Sequence, residues 1–140
     1  PIFLSKYFLD ELSRAKGTIL NIISKGAHQP FRTSISYNTS KAALSMATKQ
    51  MARELTGLYG ITVFGISPNE LEGTNLTEQV ANETQNIRGW DYEKMKLMQL
   101  GATLNNKLTD PMALANFIAY LMSGKSHHEM LSGAELQYGI

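Results

Sequence analysis

A serine, a tyrosine and a lysine are the residues of this sequence best suited to proton transfer. Tyr37 and Lys41 are four residues apart at the start of a helical pattern, so their side chains share one face of the helix. Ser24 directly follows a short apolar run, at the expected carboxyl end of a strand, where open α/β sheets bind ligands. The spacing predicts that these three side chains meet at one site.

Such a site could move a proton to or from an oxygen atom of a small molecule. A phenol normally titrates near pH 10, so its ready ionisation at neutral pH needs about 4 kcal/mol. One ammonium group about 4 Å away supplies on the order of 4 kcal/mol at an effective dielectric constant of 20. A lysine is therefore sufficient to assist a tyrosine, and a serine hydroxyl would hold the reacting oxygen by a hydrogen bond.

Short apolar runs predict the strands that position these side chains. Residues 18–23 and 61–66 are too short for buried helices and are typical of strands covered on both faces. Ser67 and Pro68 are expected to end the second strand. A last short strand is expected at residues 135–138.

Helical patterns separate the strands. They cover residues 1–14, 37–58 and 110–123, and the last begins with Asp110 as the expected N-cap and Pro111 at the first helical position. The apolar stripe expected on the second helix consists of Leu44, Ala47, Met51, Leu55 and Leu58. Strands that alternate with helices predict an α/β fold with right-handed crossovers and a parallel sheet.

The connection over about residues 69–108 is unusually long for a spacer. It leaves the carboxyl end of a predicted parallel strand, so it is expected to be a lid or binding loop, with short helices near residues 76–83 and 92–100. Trp90, Tyr92 and Met95 are the expected apolar, substrate-facing residues of this lid.

Composition excludes several other classes of function. The 140 residues are 43% apolar and 18% charged, with 13 basic against 12 acidic side chains, which is typical of one globular domain. No block of like charge predicts a nucleic-acid or anionic-membrane surface, and no apolar run approaches the roughly 20 residues of a membrane span. Without cysteine there is no disulfide or thiolate site, and the three histidines show no metal-ligand spacing, so we expect a cytoplasmic protein without a metal.

Several motifs in one register resemble the short-chain dehydrogenase/reductase family. The resemblance rests on Asn21-Ile22-Ile23-Ser24, then Tyr37-Asn38-Thr39-Ser40-Lys41-Ala42-Ala43-Leu44, and on Arg53-Glu54-Leu55, Gly60-Ile61-Thr62-Val63, Ser67-Pro68, Ser132-Gly133-Ala134 and Gly139. A tyrosine and a lysine at this spacing are weak evidence alone. The combination, which covers essentially the whole chain, is specific.

The resemblance implies hydride transfer between NAD or NADP and a carbonyl/alcohol pair. It implies that Tyr37 is the acid/base, that Lys41 favours the ionised phenol and binds the nicotinamide ribose, and that Ser24 positions the substrate oxygen. Backbone after Pro68 would meet the nicotinamide amide, which corresponds to Leu71 and, one place later than usual, Thr74. Together with Tyr37 and Lys41 these residues form the implied cofactor site.

The chain also departs from the family pattern. Asn69 and Gly73 replace the family's glycine and threonine after Pro68, and the Gly-rich turn that holds the dinucleotide pyrophosphate is not recognised. The sequence therefore resembles the C-terminal half of a doubly wound, Rossmann-like domain, with residues 1–140 as one partial domain. We expect this half alone to bind dinucleotide weakly and to self-associate, as a dimer or tetramer, through the helices at residues 1–14 and 37–58.

Two other functions remain open. A lyase similar to halohydrin dehalogenases would share the serine and tyrosine, and Pro68-Asn69 fits that group, but those enzymes carry arginine where this chain has Lys41. A non-catalytic remnant that serves in binding or assembly is the alternative outside enzymes. Response to NADH or NADPH separates the reductase from the remnant, and halide release from a haloalcohol would single out the lyase.

Overall fold

The computed structural model describes residues 1–31 and 34–139, with the backbone alone at Leu76. Its strands are β1 (Thr18–Ile22), β2 (Thr62–Pro68) and β3 (Glu135–Tyr138). They form a parallel sheet in the order β1-β2-β3. The predicted parallel α/β fold is confirmed, and β2 is the central strand of the described sheet.

Helices connect the strands. In the described residues they are α1 (Ile2–Tyr7), α2 (Leu9–Ala15), α3 (Ile35–Tyr59), α4 (Asn75–Arg88), α5 (Tyr92–Gly101) and α6 (Pro111–Met122), with 3-10 turns at Lys25–Ala27 and His128–Leu131. The Asp110 carboxylate accepts a hydrogen bond from the Met112 amide at 2.8 Å, which confirms the predicted N-cap of α6. Across the described part of the chain, no helix is both long enough and apolar enough to cross a membrane.

The second strand is longer than predicted at its carboxyl end. Ser67 and Pro68 belong to β2, where Ser67 pairs with Gln137 and Pro68 with Tyr138 of β3. Proline lacks a backbone N–H, yet it is tolerated here because it is the last residue of the strand and the ladder resumes with the Asn69 amide, 2.9 Å from the Tyr138 carbonyl oxygen.

The predicted helix over residues 1–14 is divided into α1 and α2 at Phe8. The ψ angle of Phe8 is 18°, far from the helical value of about −42°. Neither helix has a fully buried residue, but Leu9 and Leu12 of α2 pack against a core of Ala52, Ile61 and Val63, whereas no residue of α1 packs against it. Contacts with the core therefore hold α2 in place, whereas no such contact requires α1 to continue along the same axis.

Part of the predicted stripe on α3 faces the core. Met51 and Leu55 pack against the core as predicted, whereas Leu58 is 79% exposed. The fully buried residues of α3 are Ser45, Thr48 and Ala52. The sheet presents polar side chains to this helix, since Asn21 Nδ2 donates to Thr48 Oγ1 at 2.9 Å. The prediction was wrong for Leu58 because, in the last turn of α3, Tyr59 and not Leu58 packs against the core.

Both helices of the lid segment are longer than the sequence suggested. The helix expected near residues 76–83 runs as α4 to Arg88, and the second runs as α5 to Gly101. Gly89 ends α4 with φ at 63°, a left-handed conformation that glycine adopts without strain.

Candidate active site

Ser24 directly follows β1 and begins the turn at its carboxyl end. Its Oγ accepts a hydrogen bond from the Gly26 amide at 3.1 Å and so caps the 3-10 turn Lys25–Ala27. The contact uses a lone pair of the hydroxyl oxygen. Within residues 1–31 and 34–139 the hydroxyl hydrogen has no acceptor, so it is available to an external one such as a substrate oxygen.

Lys41 joins the start of α3 to the same end of β1. Its Nζ donates to the carbonyl oxygen of Ile22, the last residue of β1, at 2.9 Å. The same Nζ lies 5.8 Å from the centre of the Tyr37 ring. Burial lowers the pKa of Lys41. The ammonium group is thus held between the end of the strand and the phenol.

Tyr37 lies in the first turn of α3, against the turn that begins at Ser24. A Cβ atom added to Gly26 would lie 3.3 Å from Tyr37 Cε1 and 3.0 Å from Asn38 Oδ1. The Asn38 side chain also donates to the Gln29 carbonyl oxygen at 3.0 Å. A side chain at residue 26 would therefore crowd both residues. The structure places the Ser24 turn against Tyr37 and Lys41 beside the Tyr37 ring, while Tyr37 stays 41% exposed.

The residues expected to meet the nicotinamide lie at the end of β2 and directly after it. Pro68 is buried as the last residue of that strand. Leu71 forms an isolated parallel bridge with Thr109. The Thr74 hydroxyl accepts from the Thr77 amide at 3.2 Å, so it caps α4. Their contact with a cofactor stays a prediction.

The three expected lid residues lie in different environments. Trp90 separates α4 from α5, with the Arg88 guanidinium 4.7 Å and the Lys94 ammonium 5.2 Å from its ring. Tyr92 is 57% exposed, whereas Met95 is 4% exposed. In this conformation Met95 packs inside the fold, and the role of the three residues toward a substrate stays a prediction.

Two contacts tie the lid helix α5 to the candidate site. Lys25, the residue after Ser24, donates through Nζ to the Ala102 carbonyl oxygen at 2.5 Å, at the carboxyl end of α5. Gln99 Nε2 donates to Glu70 at 2.6 Å. Burial raises the pKa of Glu70, and the hydrogen bond from Gln99 opposes that shift in part. The lid helix α5 therefore contacts Lys25, which follows Ser24, and Glu70, which precedes Leu71.

A groove of about 810 Å³ runs along β1 between the first two helices and α3. Leu4, Phe8, Leu20 and Ile22 contribute apolar lining, and Lys41 contributes the charged group. Because Lys41 lines the groove and also contacts the end of β1, the groove borders the candidate site.

Sequence reasoning missed one set of side chains at this end of the sheet. Glu135 accepts hydrogen bonds from His28 Nε2 at 2.5 Å, from Ser45 Oγ at 2.5 Å and from Ser67 Oγ. Burial would raise the pKa of Glu135, but the hydrogen bonds from His28, Ser45 and Ser67, with the charge of His28, outweigh burial and lower it. The available signal was a glutamate at the start of a short predicted strand, yet its partners are distant in sequence.

Comparison with known proteins agrees with this geometry. A family model described as short chain dehydrogenase matches residues 1–85. The 2,3-dihydro-2,3-dihydroxybenzoate dehydrogenase of Bacillus subtilis is 31% identical over 128 residues, which are 89% of this chain and 46% of that protein.

Solved structures show the same similarity. A variant of actinorhodin polyketide ketoreductase with NADPH matches with a TM-score of 0.78 and 26% identity, over 91% of this chain and 48% of that one. A 7α-hydroxysteroid dehydrogenase complexed with NADH and 7-oxo glycochenodeoxycholic acid matches with a TM-score of 0.77 and 27% identity, over 97% and 48%. The chain spans about half the length of these relatives.

Proposed function

Because the chain belongs to the short-chain dehydrogenase family, we propose that it carries the acid–base part of an oxidoreductase site. The reaction is hydride transfer between NAD or NADP and the carbonyl or alcohol group of a small molecule. The observation that supports the proposal is that the turn that begins at Ser24 lies against Tyr37, while Lys41 contacts both the carboxyl end of β1 and the Tyr37 ring.

Each side chain has a separate task in this reaction. The Tyr37 hydroxyl donates a proton to the carbonyl oxygen during reduction and removes it from the alcohol during oxidation. Lys41 stabilises the phenolate that remains, because its ammonium lies beside the ring. The free hydroxyl hydrogen of Ser24 donates to the same substrate oxygen and holds it toward Tyr37.

The end of β2 fits a nicotinamide cofactor. Asn69 Nδ2 is buried and has no hydrogen-bond partner within residues 1–31 and 34–139. It follows Pro68, where the family resemblance places the nicotinamide amide, and a carbonyl acceptor there would satisfy this donor. Leu71 and Thr74 would border the amide, and Lys41 would hold the ribose. When bound, the cofactor supplies or accepts the hydride.

The choice of cofactor and substrate remains open within this proposal. One relative contains NADH and another NADPH, so both nucleotides are candidates. The names of the relatives refer to a polyketide, a steroid and a dihydrodiol. What these compounds share defines the proposed substrate class, which is a small carbonyl or alcohol compound.

We extend the proposal to a homo-oligomer in the cytoplasm, formed through α1, α2 and α3. Large apolar side chains are exposed on α1 and α3, including Phe3 at 89%, Tyr7 at 79%, Ile35 at 82% and Leu58 at 79%. Apolar surface of this kind is typical of protein interfaces. Analytical ultracentrifugation of the whole protein that carries this chain should give a dimer or tetramer, and a monomer would refute this part.

The activity can be tested in the same whole protein. We expect it to oxidise NADH or NADPH in the presence of at least one member of a panel of cyclic ketones, ketosteroids and β-ketoesters. A haloalcohol in a parallel reaction tests for halide release, which would favour the lyase alternative. Saturable cofactor binding without turnover of any carbonyl or alcohol would support a non-catalytic role and contradict the proposal.

A further inference from the structure

The carboxylate of Glu135 is the most heavily hydrogen-bonded acidic group among the described residues. Glu135 begins β3 beside Gly65 of β2, and its side chain is 8% exposed. Oε2 accepts from Ser45 Oγ at 2.5 Å, and Oε1 accepts from Ser67 Oγ and from His28 Nε2. The three hydrogen bonds occupy both carboxylate oxygens.

Each donor belongs to a different segment of the candidate site. His28 ends the turn that begins at Ser24, and its amide donates to the Lys25 carbonyl oxygen at 3.0 Å. Ser45 lies one helical turn after Lys41 on α3. The third donor, Ser67, is the second-last residue of β2. One carboxylate therefore contacts the three segments that bear Ser24, Lys41 and Pro68.

A carboxylate suits this position better than any neutral side chain. Its two oxygens offer about four acceptor sites, whereas the amide of glutamine accepts at one oxygen only. Ser67 is 2% and Ser45 5% exposed, so water cannot easily replace the lost acceptor. The hydrogen bonds also outweigh burial and lower the pKa of Glu135, so the group is ionised at neutral pH.

We propose that Glu135 is a positioning residue that fastens the Ser24 turn and helix α3 to the end of β2. This proposal rests on the proposed function for its effect on turnover. Through the hydrogen bond from His28, the carboxylate fixes the position of the turn that carries Ser24. Through the hydrogen bond from Ser45, it fixes how far α3 is shifted along its axis relative to the sheet, and therefore the position of Tyr37. Glu135 touches neither substrate nor cofactor in this account.

The test compares Glu135→Gln with Glu129→Gln in the whole protein that carries this chain. Glu129 is a matched control, because it also pairs with a histidine, His127, at 3.4 Å, but its side chain is 57% exposed. We expect Glu135→Gln to speed amide exchange at Ala27 and His28 by roughly tenfold or more. It should also lower kcat by about tenfold and leave the KM for the cofactor nearly unchanged. The control should resemble the wild type.

A merely structural role gives a different result. Glu135→Gln would then lower the melting temperature while exchange in the turn and kcat stay at wild-type values, which would overturn the proposal. If this variant fails to fold, His28→Ala and Ser67→Ala each remove one donor and should each reproduce part of the exchange and kcat effects. Two folded single variants with wild-type exchange and kcat would overturn the proposal equally.

The exchange measurement also separates this proposal from the proposed function. Should the wild-type protein turn over no carbonyl or alcohol, the proposed function fails. Faster exchange at the turn in Glu135→Gln would still support the anchoring role of the carboxylate, and unchanged exchange would overturn it.

Discussion

Gly65 lies in the central strand at a position where the side chain of Ile23 fills the space that another residue would need. A Cβ atom added to Gly65 would lie 2.4 Å from Ile23 Cδ1 and 3.3 Å from its Cγ1. Ile23 is 1% exposed, so its end cannot move into solvent. Gly65 is not among the glycines with positive φ, so an alanine meets no backbone strain here. The contact alone should decide the effect of Gly65→Ala.

We expect Gly65→Ala to lower the free energy of unfolding by about 1–3 kcal/mol, as overpacking of a filled core does. Ile23→Val removes Cδ1, the atom in closest contact, and should itself cost about 0.5–1.5 kcal/mol. The double variant should therefore be more stable than the sum of the two losses predicts, by about 1 kcal/mol or more. Urea unfolding followed by circular dichroism measures all three values.

Gly57→Ala is the matched control for this cycle. A Cβ atom at Gly57 would have no neighbour within 4 Å, and the residue is exposed within α3. Alanine is the better helix former by about 1 kcal/mol, so this variant should be neutral or stabilised. If Gly65→Ala is as stable as the wild type, or if its effect adds strictly to that of Ile23→Val, the close packing of Ile23 against Gly65 is refuted.

Three further predictions concern other parts of the fold and site. Lys41→Ala should lower both kcat and cofactor affinity in the whole protein, whereas the exposed Lys49→Ala should change neither; normal cofactor affinity in the first variant would contradict the ribose contact. The pKa of Glu135 is lower in the folded state, so its contribution to stability is present above the unfolded pKa and is lost as the pH falls through the folded pKa. The free energy of unfolding, measured from neutral pH to below about pH 4, should show this loss, and Glu135→Gln should reduce the loss. Asp110→Ala should cost about 1 kcal/mol of stability, because it removes the cap on the Met112 amide, and Asp110→Asn should restore most of it in the same unfolding assay.

The sequence predicted the elements whose signals are local. The apolar runs of β1 and β2 need no distant partner to be recognised, and Glu135–Tyr138 has the predicted bounds. Asp110 followed by Pro111 marks a helix start by backbone chemistry alone, which explains why this boundary agrees with the structure. The spacing of Tyr37 and Lys41 also places both on one helix before any tertiary contact is known.

Features that depend on tertiary packing were missed. Ser45 and Thr48 of α3 are buried because they meet Glu135 and Asn21 on the sheet, and the helix periodicity does not reveal these contacts. At the end of α3, Tyr59 packs against the core and Leu58 does not. The break at Phe8 arises because α2 packs on the core and α1 does not. The hydrogen bonds of Glu135 join residues between 68 and 107 positions apart, a range over which a single sequence carries no pairing signal.

The central claim, that Tyr37 is the acid–base group of a nicotinamide-dependent oxidoreductase, is tested most directly by Tyr37→Phe in the whole protein that carries this chain. Tyr120→Phe, 55% exposed on α6, is the matched control. Steady-state oxidation of NADH or NADPH with an accepted carbonyl substrate should show kcat reduced at least about 100-fold in Tyr37→Phe, with cofactor affinity nearly unchanged, because the phenol acts in the transition state. If Tyr37→Phe keeps more than about a tenth of wild-type kcat, the assignment is contradicted.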